Sequence, residues 1–451
     1  MTSAIAANKP MGSKKTLYIG QGLGSIFYNI TMGGVLTLLA MKIGAREFLI
    51  GLLAAIPPLV GVIFLLFLHR FETRYQRTFF FSDRFSAIFS FAILPFLLVA
   101  TRIPFTLQIT CLILFHFILH TFYNLYTLSW FPMMVDLVPE KERGDYFGRL
   151  RFIILVVTFI AMKISSEILG DKPGFLAFFW VFLILCIVQA TRPIILLPLS
   201  RVSNLAERTE QPRRKIKPMA VLWSIFSKRE SRLSTCYFMS LSFIGMLIGP
   251  FLIPFLMSVL GMSAAFCIFL SSMNVAGYGL TVMMWGRLND LKGSRYVLFS
   301  SLLLAPLYWM TFCRITTIPA PHLPHVLTGL YFISGIVSAG QDMAKTTRRM
   351  TLAPAGTKFS WLGYAWTVDT QVPALIAAPL GGFILQKNSH LLVGSLGIYQ
   401  ILFLGAAVIH LLLLLVILAM KPLKERPLGE IMKETVSGGL LKFRDFVVSP
   451  P

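Results

Sequence analysis

The chain has 451 residues, of which 56% are hydrophobic and 13% charged. A soluble domain carries about twice that share of charge, so one large water-soluble core is excluded. The formal charge is +22, but the Lys and Arg residues sit in short runs between long apolar stretches. They form no single basic patch or stripe, so no nucleic-acid partner is expected. Runs placed that way suit loops facing an anionic cytoplasmic leaflet.

Residues 1–15 are polar and contain Lys9, Lys14 and Lys15. The apolar stretch that follows is too long for the core of a cleavable signal, and many more follow it. Twelve apolar segments are predicted at about 16–41, 48–68, 78–101, 105–133, 150–169, 174–197, 234–258, 263–285, 296–313, 324–343, 360–386 and 392–419. Each approaches the ~20 residues that a hydrocarbon core of about 30 Å demands of a helix. In lipid every backbone N–H and C=O must be paired within the segment or in a closed sheet. The segments lack the apolar/polar alternation of barrel strands. The predicted fold class is therefore all-α, a polytopic membrane protein of twelve transmembrane helices. Pro57, Pro58, Pro95, Pro250 and Pro254 are expected as kinks in them.

With the N-terminus inside, 32 of the 41 Lys and Arg fall in cytoplasmic segments and six in outer loops. That asymmetry predicts a multi-pass protein of the cytoplasmic (inner) membrane with both termini cytoplasmic. The predicted organisation is an N-terminal six-helix bundle (1–197), a cytoplasmic basic linker (198–233), a C-terminal six-helix bundle (234–419) and a cytoplasmic tail (420–451). Within the linker, Met219 to Arg232 reads either as a solvated helix or as an interfacial one. In the second case Leu222, Ile225 and Phe226 share the apolar face.

The halves repeat. Leu137, Pro139, Arg143, Tyr146 and Gly148 match Leu352, Pro354, Lys358, Trp361 and Gly363 in type, each 215 residues on. Arg70 and Arg77 correspond similarly to Arg287 and Arg295. Six spans per half give both halves the same orientation, a parallel repeat.

Polar groups inside spans are costly and are candidates for function. In span 1 these are Gln21, Tyr28 and Asn29. His116, His120 and Asn124 follow at four-residue spacing on one face of span 4. Lys163 and Glu167, also four apart, can pair on span 5. Asn274 lies on span 8. Asp369, with Gln371 near it, falls close to the middle of span 11 and is read either as a coupling-proton site or as a polar packing residue. Asp83 and Arg84 are expected to pair with loop residues at the start of span 3. All five cysteines lie in apolar segments without metal-ligand spacing, so neither a metal site nor a disulfide is expected. No cofactor is implied. The Walker pattern is absent, which argues against direct ATP use.

The stretch Gly286-Arg287-Leu288-Asn289-Asp290-Leu291-Lys292-Gly293-Ser294-Arg295 resembles the signature between spans 8 and 9 of the major facilitator superfamily. Gly286, Leu288, Asp290, Gly293 and Arg295 match its pattern, and Leu291 and Ser294 depart from it. Asp136 to Gly144 is similar to the family's turn after span 4, and Ala378 to Gly382 to its span 11. The first-half copy of the signature, His69 to Arg77, lacks both glycines and the aspartate. The resemblance implies two six-helix bundles rocking about a central cavity lined by spans 1, 4, 7 and 10. It also implies gating loops, with Gly286, Asp290, Gly293, Arg295 and Arg143 as candidates and Asp290 pairing with Arg295 or a neighbouring cation.

The function expected is secondary active transport of a small solute, coupled to protons or another ion, by a monomer in the lipid bilayer. Two alternatives are a non-transporting sensor on the same scaffold and an integral-membrane lipid enzyme. An enzyme would cluster its catalytic groups at one interface, whereas these candidates are spread over depth and over both halves.

Overall fold

The computed structural model describes residues 12–71, 75–138, 143–203, 218–354, 358–393 and 396–423. Twelve helices among them are long and apolar enough to cross a membrane. In chain order they are span 1 (Lys15–Ile43), span 2 (Glu47–Leu65), span 3 (Arg77–Arg102), span 4 (Phe105–Trp130), span 5 (Arg149–Leu169) and span 6 (Phe175–Pro198). Span 7 (Arg229–Ser258), span 8 (Ala264–Lys292), span 9 (Ser294–Cys313), span 10 (Leu323–Leu352), span 11 (Ser360–Lys387) and span 12 (Ile398–Ala419) follow. Every predicted segment has its helix.

The differences lie at the ends. Span 12 starts at Ile398 because Leu392–Val393 and Leu396–Gly397 pair as a minimal antiparallel hairpin. Gln400 Oε1 then accepts the Gly397 N–H (2.6 Å) at the start of the helix. Span 8 runs seven residues past its predicted end at 285, and span 10 nine residues past 343. Charged residues end an apolar run in sequence, but a helix continues through them where they find partners. Lys345, Arg348 and Arg349 fall past the predicted end of span 10, in the segment assigned to the cytoplasmic side. They lie on span 10, with Arg348 and Arg349 buried and Lys345 nearly so.

The turn between spans 8 and 9 is correspondingly short. Gly293 alone breaks the helix, at φ +86°, a region that favours glycine for want of a Cβ. Gly277 and Gly335 serve close packing instead. A Cβ on Gly277 would collide with the Phe332 backbone, and one on Gly335 with that of Asn274. Spans 8 and 10 therefore approach at small residues, as membrane helices do where apolar side chains gain little by leaving lipid.

Proline breaks the helical ladder because it has no N–H to donate. In span 7 the helix Arg229–Ile248 gives way to a 3₁₀ turn, Gly249–Phe251, around Pro250 before Leu252–Ser258 resumes. The 215-residue repeat reaches the helix boundaries. The helix carrying span 4 ends at Leu137 and the next begins at Arg143; the helix of span 10 ends at Leu352 and the next begins at Lys358.

The chain divides into two units by contacts. Unit 1 takes residues up to Ile216 with Gly249–Ser272 and Ala378–Gln386; unit 2 takes Lys217–Ile248, Met273–Ala377 and Lys387 onward. In unit 1 span 1 packs on spans 5 and 6, and span 3 on spans 4 and 6. Leu17, Phe79, Tyr126, Met134, Tyr146 and Leu196 belong to its buried apolar core. In unit 2 span 9 packs on spans 10 and 12.

A short helix, Pro218–Ser227, precedes span 7. Its faces differ from those of the interfacial reading, which put Ile225 on the apolar face with Leu222 and Phe226. Ile225 is instead fully buried with Val221, while Met219 and Trp223 are outermost.

Candidate functional site

Span 11 carries a buried carboxylate on a widened turn. Its helix runs from Lys358 to Trp366, passes through one π turn, Thr367–Gln371, and resumes at Val372. Such bulges recur at functional sites because they re-aim a side chain. Asp369 sits in this turn with 1% exposure. Arg349 of span 10 grips it with two nitrogens, Nε lying 2.9 Å from Oδ2 and a terminal nitrogen on Oδ1. Lys345, one turn earlier, donates to Thr370 Oγ1 at 2.7 Å and lies 3.4 Å from Asp369 Oδ1. Thr370 in turn donates to Asp369 Oδ1.

Both cations also lie over aromatic faces. Lys345 is 5.2 Å from the Phe238 ring centre and 5.7 Å from that of Trp366. Arg349 is 5.6 and 5.3 Å from the same two. Cation–π contacts of this length contribute most where water is excluded. Asp342, exposed on the preceding turn of span 10, accepts from Tyr278 at 3.3 Å. Gln371 is half-buried in the π turn. Next along span 10, Arg348 donates to Ser234 (2.7 Å), Glu230 (3.2 Å) and the Lys421 carbonyl (3.2 Å). Those bonds tie span 10 to the start of span 7.

Unit 1 has a second buried charge cluster. Asp83 of span 3 meets Arg192 of span 6 at 3.1 Å, both almost fully buried. This corrects the expectation of a loop partner for Asp83. The guanidinium lies 3.7 Å from the Tyr126 ring centre, and Tyr126 donates its hydroxyl to Gln21 Oε1. Gly24 of span 1 leaves the room Arg192 occupies. The Asp83–Arg192 contact lacks hydrogen-bond alignment. Both Asp83 oxygens, two Arg192 nitrogens, Gln21 Nε2 and Gln189 Oε1 have no hydrogen-bond partner among the described residues. A buried polar atom left unmatched costs about 1–3 kcal/mol, so this pair is held at a price.

The span 4 face forms as the spacing predicted. The His116 and His120 rings meet edge-on at 4.3 Å, and His120 meets Tyr28 at 5.6 Å. Tyr28 stacks on Tyr123 at 3.8 Å. Asn124 turns back to the His120 carbonyl of its own helix (3.0 Å). Asn29 donates to Thr158 of span 5 (3.0 Å), and Asn274 to Ser334 of span 10 (2.6 Å). Both resemble polar links between helices. Lys163 and Glu167 do pair, but both side chains are more than half exposed, and the Lys163 ammonium lies 5.6 Å from the Phe269 ring centre.

The gating candidates are dispersed. Gly286 lies inside the span 8 helix and Asp290 is exposed near its end. Arg295 does not meet Asp290; it donates to the Ile417 (3.0 Å) and Leu418 carbonyls at the end of span 12. Cations are favoured at such carbonyl ends. Arg143 opens the helix Arg143–Leu169, and its side chain lies outside the described residues. So do the first-half signature copy at Glu72 to Arg74 and the loop 139–142. No group of three or more His, Cys, Asp or Glu side chains placed to hold a metal occurs among the described residues.

A sequence profile described as the Major Facilitator Superfamily matches residues 17–265, more than half of the chain. No curated protein matches by sequence. Solved structures share the fold at low identity, among them these three. A mutant of the nucleoside transporter NupG aligns with a TM-score of 0.68 at 14% identity, over 90% of this chain and 99% of that one. A bacterial homologue of the human lysosomal transporter Spinster, inward-facing and occupied, gives 0.63 at 14%, over 92% and 97%. A bacterial homologue of the iron transporter ferroportin, inward-facing, gives 0.61 at 13%, over 92% and 99%.

Proposed function

The chain belongs to the Major Facilitator Superfamily, and on that premise we propose that it moves a small solute across the cytoplasmic membrane by alternating access, coupled to a proton or ion gradient. It is a multi-pass membrane protein of a transporter family. Both termini are proposed to be cytoplasmic, on the distribution of Lys and Arg. Of the basic residues assigned inside, Lys345, Arg348 and Arg349 are engaged in the protein, and the asymmetry stands without them.

The observation that carries the reading is the Asp369 cluster. Buried ions are often no more stable than an apolar replacement of equal volume. A chain that keeps a carboxylate, a lysine and an arginine together within its spans has a use for them beyond folding. The proposed role of Asp369 is to exchange partners during the cycle, with Lys345 and Arg349 as its holders. Gln371, Asn274, Gln21, Asn29, His116, His120 and Asn124 are proposed to serve the solute path. Lys163 and Glu167, exposed as a pair, are proposed to meet solute or ion directly. Asp290 remains the proposed gating residue, acting from the exposed end of span 8 rather than through Arg295.

The test is uptake into proteoliposomes under an imposed proton gradient, across a panel of solute classes. At least one class is expected to accumulate against its gradient. No gradient-dependent flux for any class would favour the sensor reading.

A further inference from the structure

The helix Pro218–Ser227 takes no part in either charge cluster. It ends one residue before span 7, with only a bend at Lys228 between Ser227 and Arg229. A helix so joined to the first residue of a membrane span lies where that span meets water, whichever side that is. Val221 and Ile225, four residues apart, are buried, and the helix packs on the start of span 7 and on the helix Lys358–Trp366 that opens span 11. Met219 and Trp223, also four apart, turn the other way and are 75% and 76% exposed. In water that would be a poor place for two large apolar side chains. At a bilayer interface it is where tryptophan is enriched.

The charges beside this face are of one sign. Lys228, Arg229 and Arg232 are exposed. The one acidic residue among them, Glu230, is already engaged by Arg348 (3.2 Å) and by the Lys421 backbone N–H (2.9 Å). An apolar pair flanked by three uncancelled cations complements an anionic, amphipathic surface.

We propose that this helix docks on anionic phospholipid, with Met219 and Trp223 inserted at the headgroup level and Lys228, Arg229 and Arg232 on the phosphates. Because its buried face holds the starts of spans 7 and 11, lipid composition bears on the helix that carries Asp369. The docking itself does not depend on the transport reading.

The experiment uses the full chain with its native cysteines replaced, Met219→Cys labelled with an environment-sensitive fluorophore, in phosphatidylcholine vesicles with and without phosphatidylglycerol. With phosphatidylglycerol the label is expected to shift to the blue, to be quenched by nitroxide lipid and to be shielded from aqueous iodide. Each cation near an anionic surface multiplies partition by about fivefold. Raised salt, or Lys228→Gln with Arg229→Gln, should therefore reverse the shielding severalfold. Equal iodide quenching in both vesicles would overturn the proposal. So would equal shielding without anionic lipid, or shielding that disappears as the chain is diluted in lipid, which would mean a second copy. If the cysteine-free chain does not fold, brominated phosphatidylglycerol should quench the wild type more than Trp223→Phe, and equal quenching would refute it.

Discussion

Replacing Asp369 by Asn removes one charge and almost no volume. Arg349 would keep one arm of its grip, on the amide oxygen that remains, and lose the other, and Lys345 would lose its counter-ion at 3.4 Å. Both cations would stay on a helix where they are 7% and 12% exposed. Thr370 and the Phe238 and Trp366 rings would remain, uncharged, and the carboxylate left nearby would be Asp342, exposed on the preceding turn of span 10. Removing one partner of a buried pair costs about 3–5 kcal/mol, because the other is left uncompensated. That is roughly two to four orders of magnitude in a local folding equilibrium. Thermal unfolding of the purified chain in detergent should show a clear loss for Asp369→Asn. Arg349→Gln alone should also destabilise, and the double variant should recover part of the loss. The coupling in that cycle should reach the upper part of the roughly 0.5–3 kcal/mol range seen for contacting residues. Wild-type stability in Asp369→Asn, or strictly additive effects, would refute the claim that this carboxylate holds spans 10 and 11 together.

The unit 1 cluster should show a graded response. Asp83→Asn leaves Arg192 buried and should cost about as much as Asp369→Asn, whereas Tyr126→Phe keeps the ring under Arg192 and loses one hydrogen bond, about 1 kcal/mol; thermal unfolding ranks the two. Lys163→Ala should change stability by no more than about 1 kcal/mol, as for an exposed pair, so a loss of uptake in that variant would mark a part in transport. Asp290→Ala should cut uptake while membrane insertion and protein level, read by immunoblot, stay unchanged; unchanged uptake would remove Asp290 from gating.

The architecture was legible because lipid imposes it. An apolar helix that must pair its own backbone announces its presence, and all twelve did. Span ends were less legible. Lys345, Arg348 and Arg349 look like a basic loop because three cations in five residues usually mean solvent. Only the carboxylates of Asp369 and Glu230, distant in sequence, show that the helix continues through them. Asp369 was singled out by depth alone. A signal for its partners existed in the four-residue spacing of Lys345 and Arg349, but one sequence holds nothing to connect that spacing with span 11. The pairing of Asp83 with Arg192 was hidden likewise, since contact between spans 3 and 6 is set by packing. The linker helix shows the reverse. Its apolar composition was plain, but which face turned outward depended on Val221 and Ile225 finding a surface to pack on.

Counterflow tests the central claim most directly. Proteoliposomes are loaded with an unlabelled solute found by the uptake panel, and entry of the labelled solute is followed with no imposed gradient. A site exposed alternately to either side predicts that internal solute transiently concentrates the label above its external level. Label that only equilibrates, at a rate indifferent to the internal load, would contradict alternating access in this chain.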